Sequence, residues 1–229
     1  LQHIAVENNT PVTAFVVAEK NHYAIRWITP EYELELCGHG TLAASYVVFN
    51  YLNPTLQQIE FASKAGSLKI TRHDPWIAMV FPEKIIEPIS LPADLLAGLN
   101  GREPTQVYQH KNERLVAVFS EEKFIRDIKL NLTHLKKLEH RGLTVTAAGH
   151  EVDFVSRTFY PNKSTHIEDA VTGAAHCLLA PYWSAQLNKS ILQAKQLSAR
   201  GGFLECEVQN KSVIIRSQAI LYLQGTLTL

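Results

Sequence analysis

Two short segments, one in each half of the chain, constrain this sequence most. Leu36-Cys37-Gly38-His39-Gly40-Thr41-Leu42 and Glu168-Asp169-Ala170-Val171-Thr172-Gly173-Ala174-Ala175-His176 are both polar, glycine-containing turns that run straight into apolar helical stretches. The first turn of a helix exposes backbone N–H groups and carries partial positive charge, so it can hold a carboxylate. Two such starts aimed at one cleft would bind a small acid and set His39 and Asp169 against it.

The flanking sequence reads mainly as strands. Residues Leu1 to Asn9 look like the end of a helix, and strand patterns follow at Thr13–Val17 and Tyr23–Ile28, with a turn near Asn21. Thr29-Pro30 interrupts the pattern before the first motif. Leu42 to Leu52 is apolar on nearly every face, which predicts a buried helix, ended by Asn53-Pro54. Two or three strands fill Ile59 to Phe81, with turns at Ala65-Gly66 and His73-Asp74-Pro75. The Pro- and Leu-rich stretch from Glu87 to Pro104 reads as the domain crossing.

In the second half, strands resume at Val107-Tyr108 and Leu115–Phe119, and Lys129 to Glu139 reads as a charged amphipathic helix with a solvated face. Strands at Leu143–Ala147 and Val152–Phe159 precede the second motif and its helix, Ala174 to Leu187. Pro181 is expected to kink that helix or end its first segment. Tyr182-Trp183 reads as a core or dimer contact. Gln196 to Leu229 reads as several antiparallel strands turned at Gly201-Gly202 and Gln209-Asn210-Lys211. Each half thus repeats strands, a glycine turn, one buried helix and more strands. This predicts an α+β chain of two similar domains with a cleft between them. The expected boundaries are 1–95, completed by a last strand near 216–229, and 96–215.

Composition narrows the function. Lys+Arg and Asp+Glu both total 22, so the net charge is zero and the electrostatic footprint of a nucleic-acid binder is missing. No apolar run is long enough to span a membrane. Cys37, Cys177 and Cys206 fit neither a zinc spacing nor a disulfide framework, which points to a reducing cytoplasm. The ten histidines lack ligand spacing, so no metal is expected. The chain begins on Leu1 and its one methionine is Met79, so further sequence is expected ahead of Leu1.

The motifs together resemble the phenazine-biosynthesis PhzF-like proteins, which share the diaminopimelate epimerase fold. The matching segments are Ile25-Arg26-Trp27-Ile28-Thr29-Pro30, the two glycine turns, Asp153-Phe154-Val155-Ser156-Arg157, Pro181-Tyr182-Trp183 and Ser198-Ala199-Arg200-Gly201-Gly202. The resemblance implies two pseudo-symmetric halves, each a strongly curved, mostly antiparallel sheet around one central helix, with the active site at the N-termini of both helices. It also implies a homodimer and cofactor-independent isomerisation of a small carboxylic acid by proton transfer. The family's first strand and Gly-Asn-Pro loop have no counterpart in the residues from Leu1 onward.

Two departures bear on activity. The family's acid/base glutamate lies in a Ser-Glu-Thr-x-Phe segment, which here reads Pro11-Val12-Thr13-Ala14-Phe15 and puts Val12 at the glutamate position. Losing a positioned base costs on the order of 10²–10⁴ in rate. Glu7, five residues earlier, is not assigned that role. The family's Asp-Pro-Val-Thr-Gly-Ser-Ala reads Asp169-Ala170-Val171-Thr172-Gly173-Ala174-Ala175, so Ala174 removes a hydroxyl but keeps its backbone N–H.

The candidate acid/base groups are therefore His39, Asp169 and Cys37, with Gly38, Gly40, Thr41, Gly173, Ala174 and Ala175 binding the substrate. Taken alone, His39 is an ordinary structural histidine and Asp169 an ordinary helix cap; their places in the motifs point to proton transfer. Cys37 occupies the place of one of the two thiols used by racemases of the same fold. The second helix entry has no cysteine, and Cys177, a turn inside the helix, reads as packing. Three readings stand: an isomerase, an acid binder that has lost catalysis, and a thiol-dependent racemase. A scaffold with an occluded cleft is a weaker fourth.

Overall fold

The computed structural model describes residues 1–20 and 22–227. The turn expected near Asn21 lies outside them. The chain divides into two compact units, residues 1–80 with 216–229, and residues 81–215.

The first unit opens with α1 (Gln2–Asn8), whose Ala5 is wholly buried. A hairpin follows, β1 (Thr13–Ala18) paired antiparallel with β2 (Tyr23–Ile28), Thr13 facing Ile28 and Ala18 facing Tyr23. The two-residue β3 (Glu33–Leu34) folds back on the end of β2, where the Arg26 guanidinium grips the Glu33 carboxylate through two 2.8 Å hydrogen bonds. That contact and one from Lys64 hold the Glu33 carboxyl down to about 2.

Next comes α2 (Gly38–Val47), which passes without a break into a π-helical turn at Val48–Leu52. The Asn53 N–H closes that turn on the Val48 carbonyl at 2.8 Å. The helix was expected to be buried on all sides, but Val47, Tyr51 and Leu52 are exposed. Beyond the glycine turn, the buried residues form a stripe through Thr41, Ala44, Ser45, Val48 and Phe49. Beyond it run β4 (Gln58–Ser63), β5 (Gly66–His73) and β6 (Trp76–Pro82), an antiparallel meander that fills the stretch read as two or three strands. Parallel pairing of β4 with β2 completes the order β1-β2-β4-β5-β6. Alternation along β4 and β5 sends Ile59, Phe61, Leu68 and Ile70 inward.

In the second unit a short β7 (Glu87–Pro88) and α3 (Ala93–Gly98) occupy the stretch read as the domain crossing. Leu95 and Leu99 turn it into packed structure by inserting into a core with Leu115, Ile125, Leu135 and Leu143. The sheet continues through β8 (Gln106–His110) and β9 (Arg114–Val118), followed by α4 (Glu122–Arg126) and α5 (Leu132–Leu135). The helix expected over Lys129 to Glu139 is thus cut to one turn, started by the Asn131 side chain accepting from the Thr133 N–H. Asn131 competes for its own backbone and sets the start there.

Strands β10 (Gly142–Ala148) and β11 (Phe154–Phe159) form the middle of this sheet, with β10 parallel to β9 and antiparallel to β11. One face of β10 carries Leu143, Val145 and Ala147 into the core beneath α3 to α5. The other carries Thr144 and Thr146, both fully buried. Two residues, Glu168 and Asp169, form β12. Then come α6 (Gly173–Leu187), β13 (Ile191–Gln196), β14 (Gly202–Gln209) and β15 (Ser212–Ser217). The strand order is β15-β14-β13-β11-β10-β9-β8-β7, with β12 on β11. The last two strands agree with the expected hairpins; residues 218–227 carry no strand.

Helix α6 continues through Pro181, so the proline does not end it. A prolyl nitrogen has no hydrogen, so it leaves the carbonyl four residues back without its helical donor. That carbonyl belongs to Cys177, and it accepts instead from the backbone N–H of Lys84 at 3.0 Å. The Trp183 indole N–H donates to Thr146 Oγ1 at 2.9 Å, and its ring stacks on Phe154 at 5.9 Å, fixing the helix on the threonine-rich face.

Candidate functional site

The first glycine turn opens α2. Cys37 is the N-cap, in extended conformation, and its own side chain makes no capping hydrogen bond. The Cys37 carbonyl accepts both the Thr41 N–H at 2.9 Å and the Thr41 hydroxyl at 2.7 Å, so Thr41 spends its side chain on the shape of the turn. Gly38, Gly40 and Thr41 are buried, Cys37 is only 6 % exposed, and His39 is half-buried. Gly40 is required here: a Cβ on it would lie 2.8 Å from Trp27 Cδ1 and 3.1 Å from Cys37 Sγ. The Trp27 ring, 1 % exposed, therefore packs directly on the helix start.

The second glycine turn opens α6. Strand alternation separates its two acids, because Glu168 faces Phe159 and Asp169 faces Thr158 in the β11–β12 pair. Glu168 is consumed by Arg157, in a two-pronged ion pair of 2.7 and 2.9 Å. The Asp169 carboxylate accepts from the Thr172 hydroxyl through Oδ2 at 2.8 Å. Thr172 is the N-cap, and its own side chain makes no capping hydrogen bond to α6. The Thr172 carbonyl takes the Ala175 N–H at 3.0 Å; Gly173 and Ala175 are buried and Ala174 is half-buried.

Sequence reasoning missed the residues that support this second turn. Gln196 is fully buried at the end of β13; its Oε1 accepts from the Thr172 N–H at 2.9 Å, and its Nε2 donates to the Asp169 carbonyl at 2.7 Å. The signal was available: Leu192, Ala194 and Gln196 share the inward phase of one strand, and a glutamine there needs a polar partner. Ser198 Oγ donates to the Ala170 carbonyl at 2.7 Å and accepts from the Gly201 N–H. Gly202 was read as part of a plain hairpin turn. A Cβ there would lie 2.1 Å from Val171 Cγ2, so the glycine also makes room for the site turn.

The thiols differ in environment. Cys177 Sγ lies 3.5 Å from the Gly173 carbonyl, and burial pushes its pKa up to about 12. Burial also raises that of Cys206. Neither is a nucleophile or acid at neutral pH. Cys37 is the thiol placed at a helix start. Among the described residues no helix is long and apolar enough to cross a membrane.

Comparison with known proteins agrees with this architecture. The chain is 43 % identical over its whole length to an uncharacterized isomerase of Pseudomonas aeruginosa, spanning 87 % of that protein. It superposes with a TM-score of 0.91 on the crystal structure of a phenazine biosynthesis PhzC/PhzF protein from Clostridium difficile, at 42 % identity, covering all of this chain and 87 % of that one. A hydroxyproline epimerase from Agrobacterium vitis shares the fold at a TM-score of 0.59 and 9 % identity, over 92 % of this chain and 72 % of that one. The α+β epimerase-type fold expected from the sequence is the one observed. Residues 1–225 match the model of the phenazine biosynthesis-like (PhzC-PhzF) proteins, and the chain belongs to that family.

Proposed function

We propose that this protein is an isomerase that moves a proton on a small carboxylic acid without metal or organic cofactor. The observation that carries the reading is the pair of helix starts. Both α2 and α6 open on glycine after an N-cap residue whose own side chain makes no capping hydrogen bond, and each start brings one proton-active side chain, His39 or Asp169. Each start can stabilise a carboxylate by ~0.3–1 kcal/mol, and up to ~2 kcal/mol when partly buried. In this reading Gly38, Gly40, Gly173 and Ala174 hold the acid through backbone groups, while Thr41 and Ala175 keep the turns in shape. As one side chain takes a proton from carbon, the helix starts stabilise the charge that develops on the carboxylate, and the other returns a proton.

A second reading is an acid-binding relative with lost catalysis. It is favoured by Val12, which lies in the coil before β1 where the family places its glutamate, while Glu7 on α1 is exposed. The thiol reading is narrowed to Cys37 alone, because Cys177 is buried and protonated. One experiment separates them: incubation with a panel of small carboxylic acids in deuterated water, followed by NMR. An isomerase exchanges deuterium into a bound acid, and His39→Ala or Asp169→Ala abolishes the exchange. A pure binder binds and exchanges nothing. A thiol enzyme loses exchange in Cys37→Ala.

A further inference from the structure

The orientation of the Gln196 amide is decided by its neighbours. Its Oε1 accepts from the Thr172 backbone N–H, which can only donate. Its Nε2 therefore points the other way, to the Asp169 carbonyl at 2.7 Å and to Thr172 Oγ1 at 3.2 Å. The threonine hydroxyl, already accepting from Nε2, has its own hydrogen free for the Asp169 Oδ2 at 2.8 Å. Gln196 is fully buried and Thr172 is 3 % exposed, so the two bonds between them are shielded from water. The His176 Nδ1–H, donating to the Thr172 carbonyl at 2.9 Å, fixes the same residue from the helix side.

We propose that Gln196, acting through the Thr172 hydroxyl, is the positioning residue that holds the Asp169 carboxylate in one orientation for proton transfer. This rests on the isomerase reading above, because the orientation matters only if Asp169 exchanges protons with a substrate. A carboxylate with one oxygen held by a fixed hydroxyl cannot turn freely, and catalytic groups lose orders of magnitude when misaimed.

The test uses Thr172→Val, Thr172→Ser and Gln196→Met in the full chain, with folding checked by circular dichroism. Three-bond couplings to the Asp169 carboxyl carbon report its side-chain rotamer by NMR. The probes for exchange in deuterated water are a cyclohexene carboxylate and a cyclic amino acid. Thr172→Val and Gln196→Met should average the Asp169 rotamer and lower kcat about tenfold or more with little change in KM. Thr172→Ser, which keeps the hydroxyl, should restore both. A single Asp169 rotamer in Thr172→Val and Gln196→Met overturns the proposal, as does averaging with kcat unchanged. Should Thr172→Val not fold, Gln196→Met against Thr172→Ser makes the same comparison. If the unsubstituted protein exchanges neither probe nor any other acid it binds, the isomerase reading fails, and the couplings alone still decide whether Gln196 sets the Asp169 rotamer.

Discussion

His176 Nδ1 donates its hydrogen to the Thr172 carbonyl, 2.9 Å away and one helical turn back along α6. The side chain is fully buried, and burial, opposed by that hydrogen bond and assisted by the Arg114 charge, lowers its pKa from 6.5 to about 4. The folded protein thus prefers neutral His176, while the unfolded chain binds a proton already near 6.5. Between those values the unfolded state holds more protons, so stability is full above about pH 6.5 and falls toward pH 4. The difference amounts to roughly 3 kcal/mol. Urea denaturation of His176→Gln from pH 7 to 4.5 should show a flatter profile than the unsubstituted protein. Parallel profiles would refute the assignment.

Gly40 meets Trp27 in a similarly specific way. Alanine in a helix is ordinarily more stable than glycine by ~0.5–1 kcal/mol. Here the added methyl would sit 2.8 Å from an indole carbon that is itself packed in the core. Gly40→Ala should therefore cost about 1–3 kcal/mol in denaturant titrations. In a Trp27→Phe background the same change should cost at least about 1 kcal/mol less, giving a measurable coupling.

The Gly202–Val171 contact predicts a second coupled pair. Gly202→Ala places a methyl 2.1 Å from Val171 Cγ2, against the turn that carries Asp169. A loss of ~2 kcal/mol is expected, largely recovered by adding Val171→Ala. Additive free energies would show that the two residues do not press on each other.

Thiol labelling tests the buried cysteines. With burial pushing Cys177 up to about 12 and raising Cys206, iodoacetamide at pH 8 should leave both unmodified in the folded protein. In denaturant all three cysteines should react. Mass spectrometry of peptides reads the result, and native alkylation of Cys177 would contradict its placement.

The legible parts of the fold were those with a local cause. The alternation of Tyr23–Ile28 announced β2, and the glycine turns announced α2 and α6. The charged helix came out shorter than expected, and α3 went unannounced, for the same reason. Helices as short as α3, α4 and α5 are not stable on their own. Leu95, Leu99, Ile125 and Leu135 hold them by reaching a core assembled from distant strands, which no window of sequence contains. The motifs pointed to Cys37, His39 and Asp169 as candidates, and each lies at or just before a helix start. Gln196 stayed hidden because its partners lie on another element, although its place in the buried phase of β13 was a clue. Pro181 was harder to read because the rule for proline considers only the helix it interrupts.

That proline has a wider reach. The acceptor it leaves over in α6 is occupied by a main-chain amide, that of Lys84, so the fastening ignores what side chain stands at position 84. Evolution can vary that residue freely, charge included, and keep the fastening. A second proline, one lacking an amide hydrogen at position 84, is the substitution that would undo it.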